Sequence, residues 1–239
     1  MNGIRMFTRM PRVQRYARAI ALRAFGYLEN NGNSDLTTNG ESYFVGALLD
    51  YFRRAGRSSP EDPLHVIDVG AHVGDYSRML LDKSAERGLS VHLHLFEPRR
   101  SSFGVLRQRF GDMACVTLNE QALSRDDENR TIFFDHEGSG LASLYQRNLK
   151  PYGIQLDQSE TVTTGRLDDY IQEKAVSHVH FLKIDVEGHE MAVLEGMGSH
   201  LDGGFVDFVQ FEYGGADLDS GVTLMELFDL FEGAGFRVA

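Results

Sequence analysis

Short runs rich in β-branched residues alternate along the chain with segments of helical periodicity, and this alternation restricts the fold more than any other feature. The runs LHVIDV at residues 64–69 and VHLHLF at residues 91–96 predict buried strands, and a helical pattern follows each of them. Strands that alternate with helices form a mostly parallel sheet with helices on both faces, and such sheets bind ligands at the carboxyl ends of their strands. We therefore expect an α/β fold with its functional site at that edge.

The remaining elements follow from the same periodicity. Further strands are predicted at residues 114–118, 131–134, 181–184 and 205–211, the second of these as an edge strand, and another begins at residue 235. Helices are predicted at residues 39–55, from the turn at 70–74 to about residue 87, and at residues 101–110, 191–201 and 224–231. Between residues 135 and 166 the alternation stops, and a loop of this length inside a compact domain is usually functional or mobile.

Composition and cysteine content narrow the class of protein. The 239 residues are 42% hydrophobic and 25% charged, which is ordinary for one globular α/β domain with additions. Cys115 is the only cysteine, so an intrachain disulfide and a cysteine-based metal or redox centre are excluded. No apolar run approaches the roughly 18 residues that a membrane span requires. We expect a soluble, cytoplasmic protein without stable membrane insertion.

The N-terminal segment differs from the rest of the chain in charge. The net charge is -11, yet six arginines precede the first acid, Glu29, so the remainder is more acidic still and should repel nucleic acid. From Pro11 onward, small apolar residues share one side of a helix and arginines share the other. Such a helix can lie on a membrane surface, act as a transit peptide or pack on the domain. We favour packing because the alanine-rich face buries little area, and we assign residues 1–60 to a helical extension and residues 61–239 to the main domain.

The first predicted strand ends in the sequence VIDVGAHVGDYS at residues 66–77. Asp68 lies near the end of the strand, and Gly70 and Gly74 allow the backbone to turn sharply and approach a ligand closely. The turn lacks the Gly-Lys-Ser/Thr of a phosphate-binding loop and the Gly-x-Gly-x-x-Gly spacing of a dinucleotide-binding loop. The pattern predicts a ligand-binding turn of a different kind.

The second and third strands bring polar groups to the same edge. Glu97 and Pro98 follow the second strand, and an acid at this position can accept hydrogen bonds from both hydroxyls of a ribose. A Glu-Pro pair alone more often begins a solvated helix, but its coupling to the first turn favours a nucleoside ligand. The segment NEQALS at residues 119–124 can present polar groups to the edge of a base, and Ala122 or Leu123 to its face.

Six segments together resemble the FkbM-type S-adenosylmethionine-dependent methyltransferases. They are VIDVGAHVGDYS, FEP, NEQALS, GSGLASL at residues 138–144, TTGRLDDY at residues 163–170 and LKIDVEGHE at residues 182–190. The resemblance spans residues 64 to 236, and LKIDVEGHE is its most specific part. It implies a Rossmann-like class I methyltransferase fold with seven strands, and transfer of a methyl group to a hydroxyl of a small metabolite, sugar or polyketide-like acceptor.

The resemblance also implies a site for S-adenosylmethionine. Its residues would be Asp68, Gly70, Ala71, His72, Gly74, Ser77, Glu97, Pro98, Gln121, Ala122 and Asp185. Asp68, Gly70 and Gly74 would surround the amino acid part of the cofactor. Glu97 would bind the ribose, and Gln121 or Ala122 the adenine. Two features depart from the family: His72 stands where many members carry glycine or a small polar residue, and no final β-hairpin follows, which suggests that the chain continues or that this sheet edge is rebuilt.

The segment HFLKIDVEGHE at residues 180–190 is expected to carry the chemistry. Asp185 would lie beside the sulfonium of the cofactor, whereas Glu190 begins a helix and is better interpreted as structural. His189, beside a helix N-terminus, should stay neutral and can act as a general base; alternatively it holds a neighbouring loop, and the proton goes to Asp185, Glu187 or water. The candidate catalytic residues are Asp185, His189 and Glu212, and the candidate substrate-binding residues are Ser143, Tyr145, Glu187 and Glu212.

Three alternative interpretations stay open. The oxygen-rich ligands that Mg²⁺ or Mn²⁺ prefers are offered by Asp185, Glu187, His189 and Glu212. We do not favour a metal and assign no ligand to one. Tyr170 and Lys174 supply the Tyr-x-x-x-Lys pattern of an NAD-dependent oxidoreductase or epimerase, but without phosphate-binding glycines an amphipathic helix explains them better. The third alternative is a non-catalytic module that binds a nucleoside cofactor.

The expected partner is a small molecule or glycan that offers a hydroxyl group. Nucleic acid is not expected because the body of the chain is acidic. A homo-oligomer is compatible with the sequence.

Overall fold

The computed structural model describes residues 11–28 and 33–238. The helices are α1 (Pro11–Leu28), α2 (Glu41–Ala55), α3 (Asp75–Glu86), α4 (Arg100–Phe110), α5 (Leu167–Glu173), α6 (Glu190–Glu195), α7 (Gly215–Ser220) and α8 (Leu224–Gly233). The strands are β1 (Leu64–Val69), β2 (Val91–Phe96), β3 (Val116–Asn119), β4 (Ala122–Leu123), β5 (Asn129–Phe134), β6 (Gln158–Gly165), β7 (Val179–Ile184) and β8 (Val206–Phe211). Short 3₁₀ turns lie at Lys150–Tyr152 and Gly198–His200.

The main sheet has five parallel strands in the order β3-β2-β1-β7-β8. A second sheet has three strands in the order β4-β6-β5, with β5 antiparallel to β6. This architecture confirms the expected α/β fold with a mostly parallel sheet. The resemblance implied seven strands, whereas the main sheet of the described residues has five.

Helices cover both faces of the main sheet. On one face, the hydroxyl of Ser77 in α3 donates to the carboxylate of Asp68 in β1. On the other face, the ring of Tyr170 in α5 packs edge-on against Phe96 in β2, and its hydroxyl lies 2.8 Å from Nδ1 of His94. Because successive strand residues point to opposite faces, these contacts fix α3 and α5 on opposite sides of the sheet.

The central strands are buried on both faces, which explains why apolar residues occur at both inward and outward positions of their sequences. All six residues of β7 are buried, and β1 is buried except at His65. Strands of parallel sheets show this pattern because helices cover both of their faces. The uninterrupted burial is why these strands were the easiest elements to predict.

The strand β6 was missed, and the prediction of a loop between residues 135 and 166 is wrong at residues 158–165. The sequence of β6, QSETVTTG, contains one apolar residue, Val162, which is buried together with Thr164. Strand recognition from hydrophobic alternation fails where threonine takes an inward position. The prediction of an edge strand at residues 131–134 is confirmed, since β5 lies at the edge of the smaller sheet.

Two predictions in the C-terminal part of the chain also differ from the structure. The helix predicted at residues 191–201 stops at Glu195, where a side chain on Gly196 would lie only 2.1 Å from the carbonyl oxygen of Ser124. The strand expected from residue 235 does not form, and residues 236–238 have no regular structure.

The chain forms two compact units, Met1–Leu48 and Leu49–Ala239. The boundary between these units lies at residues 48–49, and the division at residue 60 stays a prediction from the sequence. Two of the six N-terminal arginines, Arg5 and Arg9, lie outside the described residues, and so does Ala239. Within the described part of the chain, no helix is both long enough and apolar enough to cross a membrane.

The turn before α3 provides a test of the packing. Gly74 has φ +82°, and a Cβ there would lie 2.4 Å from the ring of Phe110 in α4. Gly74→Ala should therefore lower the free energy of unfolding by about 2–4 kcal/mol, from backbone strain and overpacking. Urea denaturation measures this loss.

Gly104→Ala is the matched control. Gly104 lies inside α4, and a Cβ there would meet no atom within 4 Å. This substitution should raise the free energy of unfolding by about 0.5–1 kcal/mol, because alanine loses less conformational freedom than glycine on helix formation. Equal effects of the two substitutions would contradict the packing described for Gly74.

Candidate active site

A cleft opens at the carboxyl ends of β1, β2 and β7 and encloses about 600 Å³, including space open to solvent. The walls combine apolar side chains with a few polar groups, as ligand sites usually do. The apolar residues include Val69, Phe96, Ala122, Leu123, Ile132 and Val186. The predicted site residues that line the cleft are Gly70, His72, Glu97, Pro98, Gln121, Ala122, Asp185, Glu187 and His189.

The turn after β1 is held directly against the end of β7. Gly70 has φ +84°, and a Cβ on it would lie 1.8 Å from the carbonyl oxygen of Asp185. The backbone N–H groups of Gly70 and Ala71 both donate to the carbonyl oxygen of Phe96 at 3.0 Å. No side chain fits at Gly70, so the close approach of this turn to the end of β7 requires glycine.

Glu97 is held at the end of β2 by backbone hydrogen bonds. The N–H groups of His72 and Arg99 donate to its two carboxyl oxygens, each at 2.9 Å. Burial raises the pKa of Glu97 to about 7, although the two N–H donors oppose the shift. A carboxylate has about four acceptor positions, so both oxygens can also accept hydrogen bonds from ligand hydroxyls.

His72 occupies a backbone conformation that favours glycine. Its φ is +50°, in the left-handed region that side chains other than glycine rarely adopt. Glycine is therefore the residue that this turn accepts most easily, consistent with what the resemblance implied for this position. The His72 ring lies 3.1 Å, through Nε2, from the carbonyl oxygen of Gly138. This contact ties the turn to the segment 135–149.

Four predicted cofactor residues lie outside the lining of the cleft: Asp68, Ala71, Gly74 and Ser77. Asp68 is buried in β1 and accepts a hydrogen bond of 2.5 Å from Ser77. Gly74 leaves room for α4 rather than for a ligand, since a Cβ there would meet Phe110. These residues lie in or beside the turn but outside the lining of the cleft, and their direct contact with a cofactor stays a prediction.

Three acids lie close together at the ends of β7 and β8. Lys183 pairs with Asp185 through Nζ at 2.8 Å, and Arg147 forms an ion pair with Glu187. The carboxyl of Glu212 adjoins Asp185 and is not part of the cleft lining. Desolvation of this carboxyl and the nearby charges of Asp185 and Glu187 raise the pKa of Glu212 to about 7.

His189 is buried at the wall of the cleft with both ring nitrogens hydrogen-bonded. Nδ1 lies 2.9 Å from the hydroxyl of Tyr145, and Nε2 lies 3.0 Å from the hydroxyl of Ser124. Burial lowers the pKa of His189 to about 4, with smaller contributions from Arg130 and Arg125. The imidazole is therefore neutral at pH 7, as expected, but burial is the main cause rather than a helix end.

The segment 135–149 forms one wall of the cleft through Ser139, Gly140, Ala142 and Leu144. Ser143 is fully buried, and its hydroxyl donates to the carbonyl oxygen of Glu187 at 2.7 Å. Ser143 and Tyr145 thus hold this wall against the turn at residues 187–189, and neither lines the cleft. Their predicted contact with substrate stays untested.

Sequence reasoning missed two buried charges beside the cleft. Arg99 lines the cleft, is 1% exposed and bonds Glu137 at 3.1 Å and Glu160 at 3.3 Å. Its partners come from the β5–β6 region, which the sequence did not connect to β2. Lys183 had a usable signal, because a lysine inside a buried strand must find a negative partner, here Asp185.

The metal alternative would use Asp185, Glu187, His189 and Glu212, but no three of these residues have ligand atoms that all lie within 4.8 Å of one another. Among the described residues, one group of three has ligand atoms within 4.8 Å of each other: His178, His180 and Asp207. His178 precedes β7, and Asp207 is the second residue of β8. This group therefore lies at the amino ends of these strands, whereas the cleft lies at the carboxyl ends. Arg57 already places a guanidinium nitrogen 3.1 Å from Nε2 of His178 and 3.0 Å from Asp207.

The Tyr-x-x-x-Lys pair lies away from the cleft. Tyr170 is buried against the sheet, with its hydroxyl 2.8 Å from Nδ1 of His94. Lys174 lies just beyond the end of α5 and pairs with Glu173 at 2.8 Å. Neither residue lines the cleft, so this pattern is explained by the packing of α5.

Comparisons with known proteins match one family model and two proteins that are named methyltransferases. The family model of the methyltransferase FkbM domain matches residues 68–238. A protein named Methyltransferase 1 from Beauveria bassiana (strain ARSEF 2860) is 25% identical over 196 residues, which cover 75% of this chain and 74% of that protein. The 2-O-methyltransferase NoeI from Sinorhizobium fredii (strain NBRC 101917 / NGR234) is 27% identical over 180 residues, 71% of each chain.

A solved structure is also similar to this chain. The crystal structure of methyltransferase FkbM from Methylobacillus flagellatus KT aligns with a TM-score of 0.38 and 16% identity. The alignment covers 73% of this chain and 44% of that chain, so this chain spans less than half of its length.

The contact between Tyr145 and His189 gives a measurable contribution to stability. Tyr145→Phe removes the hydroxyl that lies 2.9 Å from the buried imidazole. We expect the free energy of unfolding to fall by about 1–2 kcal/mol, because a buried ring nitrogen loses its partner. The exposed Tyr152 provides the control, and Tyr152→Phe should change the value by less than about 0.5 kcal/mol. Urea denaturation measures the free energy of unfolding of both variants. Equal losses in the two variants would contradict the contact between Tyr145 and His189.

Proposed function

This chain belongs to the FkbM methyltransferase family, and we propose that it transfers the methyl group of S-adenosylmethionine to a hydroxyl oxygen of a small metabolite, sugar or polyketide-like acceptor. The main support is the position of Glu97. Its carboxyl is fixed by two N–H groups at the end of β2, beside the Gly70 turn that contacts Asp185. An acid fixed there suits the two hydroxyls of a ribose.

The chemistry of the cleft fits the cofactor. S-adenosylmethionine carries a sulfonium and an ammonium, and the cleft is lined by Glu97, Asp185 and Glu187. Apolar walls at Phe96 and Ala122 suit the faces of an adenine. When bound, the cofactor supplies an electrophilic methyl group. The residues of the chain would bind it and align the acceptor oxygen, which accounts for most of the rate in a displacement of this kind.

A hydroxyl acceptor must lose its proton during transfer. We assign this role first to Glu212, whose carboxyl adjoins that of Asp185, because a base is most effective when its pKa lies near the working pH. The pKa of Glu212 is raised to about 7, whereas that of His189 is lowered to about 4. His189 then orients Tyr145 and the neighbouring wall, and it serves as the second candidate base. The name of the NoeI relative, a 2-O-methyltransferase, supports oxygen as the acceptor atom.

Calorimetric titration with S-adenosylhomocysteine tests the cofactor assignment. The wild type should bind this product at pH 8, and the affinity should fall below about pH 7 by up to tenfold per pH unit, because protonated Glu97 loses acceptor positions for ribose. Glu97→Gln should weaken binding at pH 8 by roughly 10–100-fold and remove most of the pH dependence.

Glu120→Gln, at an exposed acid outside the cleft lining, is the control and should bind like the wild type. Parallel titrations with NAD⁺, each with and without Mg²⁺, test the other interpretations. Binding of NAD⁺ alone would refute the methyltransferase proposal. A strict need for Mg²⁺ would turn the acids of the cleft into a metal site, and binding without any turnover would leave a non-catalytic module.

The pH dependence of turnover separates the two candidate bases. With labelled S-adenosylmethionine at saturation and a panel of methyl glycosides and hydroxylated macrolides, kcat should fall below about pH 7 if Glu212 accepts the proton. Glu212→Gln should then lower kcat by about 10²–10⁴. His189→Gln, which keeps hydrogen-bonding groups but cannot take up a proton, should lose less than about tenfold.

The opposite pattern would assign the base to His189. In that case kcat stays constant down to about pH 4–5, and His189→Gln loses the larger factor. Asp185→Asn should abolish turnover under either assignment. Normal turnover of Asp185→Asn would refute the location of the site itself.

A further inference from the structure

Two buried carboxyl groups lie beneath the turn at residues 186–189. Glu190, the first residue of α6, is 1% exposed, and Asp217 in α7 is 2% exposed. One oxygen of each is satisfied by the backbone: the N–H of Val186 donates to Glu190 Oε1 at 3.1 Å, and that of Gly214 donates to Asp217 Oδ2 at 2.8 Å. Both carboxyls are therefore held in fixed orientations.

The second oxygen of each carboxyl is the unusual feature. Glu190 Oε2 and Asp217 Oδ1 are buried, and neither has a hydrogen-bond donor among the described residues. The two side chains are nevertheless within hydrogen-bonding reach of each other. Two buried carboxylates that face each other repel strongly, and a single proton between them removes both the repulsion and the two unsatisfied acceptors.

We propose that Glu190 and Asp217 share one proton between Oε2 and Oδ1, and that this hydrogen bond positions the turn at residues 186–189. In the pair, one carboxyl is a neutral acid that donates and the other is a carboxylate that accepts. The pair carries one negative charge. The effect of this pair on methyl transfer rests on the proposed function. The shared proton does not, because it is argued from the burial and the backbone hydrogen bonds of the two carboxyl groups.

The packing around the pair explains why it controls the turn. Gly188, with φ +99°, would place a Cβ only 2.5 Å from the carbonyl oxygen of Ala216, so the turn lies directly on α7. The pair interacts electrostatically with titratable groups of other elements: Glu190 acts on Tyr145, and Asp217 acts on Glu187. Arg147 forms ion pairs with Glu187 and with Asp219 of α7, and thereby offsets their negative charge.

The shared proton gives stability a defined dependence on pH. Burial and Asp217 raise the pKa of Glu190 to about 8, above its ordinary value of 4.5. The folded state therefore holds a proton that the unfolded chain releases, and stability falls as the pH rises from about 4.5 to about 8. Above that range both states have lost the proton, and this contribution becomes constant.

Isosteric amides test the proposal by thermal unfolding of the full chain without ligand. In Glu190→Gln, the amide oxygen can still accept from Val186 while its NH₂ donates to Asp217, so the bond persists without a proton. The melting temperature of this variant relative to the wild type should rise between pH 5 and pH 8 and then stay constant. Asp217→Asn should behave in the same way, since its amide can accept from Gly214 and donate to Glu190. Glu195→Gln, at the other end of α6, is the control and should parallel the wild type.

The double variant Glu190→Gln/Asp217→Asn gives the sharpest result. Two NH₂ groups then face each other, and turning either amide places an NH₂ against a backbone N–H instead. We expect its melting temperature to lie about 4–8 °C below the sum of the two single effects. Additive single effects, or a constant difference between Glu190→Gln and the wild type across pH, would overturn the shared proton.

Hydrogen–deuterium exchange tests the positioning role separately. Peptides that span residues 185–190 should exchange at the wild-type rate in Glu190→Gln and at least tenfold faster in Glu190→Ala, which removes the acceptor for the N–H of Val186 and the bond to α7. Unchanged exchange in Glu190→Ala would overturn positioning. Neither measurement requires cofactor or acceptor, so a failure of the proposed function would not affect them.

Discussion

The backbone contact between the Gly70 turn and the carbonyl of Asp185 is the constraint on which the candidate site depends. A Cβ at Gly70 would lie 1.8 Å from that carbonyl oxygen, so the approach is available only to glycine. Because β1 lies between β2 and β7, the contact brings the Glu97 end of one strand and the Asp185 end of another to a common cleft. The acids and the apolar walls can then act on one ligand.

Burial sets the protonation states around this cleft. It raises the pKa values of Glu97 and Glu212 to about 7 and lowers that of His189 to about 4. The same desolvation thus keeps carboxyls partly protonated and the imidazole neutral, because in each case the charged form is penalised. A cationic ligand would favour the ionised carboxylates, so ligand binding and proton release are coupled in such a site.

The wall formed by the segment 135–149 depends on the turn at residues 187–189. Ser143, Tyr145 and Arg147 anchor the segment to the carbonyl of Glu187, the ring of His189 and the carboxylate of Glu187 respectively. The turn is itself held on α7 through Gly188 and the carboxyls of Glu190 and Asp217. The shape of this wall of the cleft therefore depends on how the turn packs on α7.

The sequence by itself determined the strands β1, β2 and β7 and their succession along the chain, because short runs rich in apolar residues are a local signal of burial on both faces. The motifs that end these strands also indicated Glu97, Asp185 and His189, all of which line the cleft. Tertiary structure alone decided the rest. The strand β6 has only one apolar residue, and Arg99 meets Glu160 from that strand. Gly74 makes room for α4, and Ser124 hydrogen-bonds with His189. Both contacts join residues distant in sequence, which no local pattern encodes.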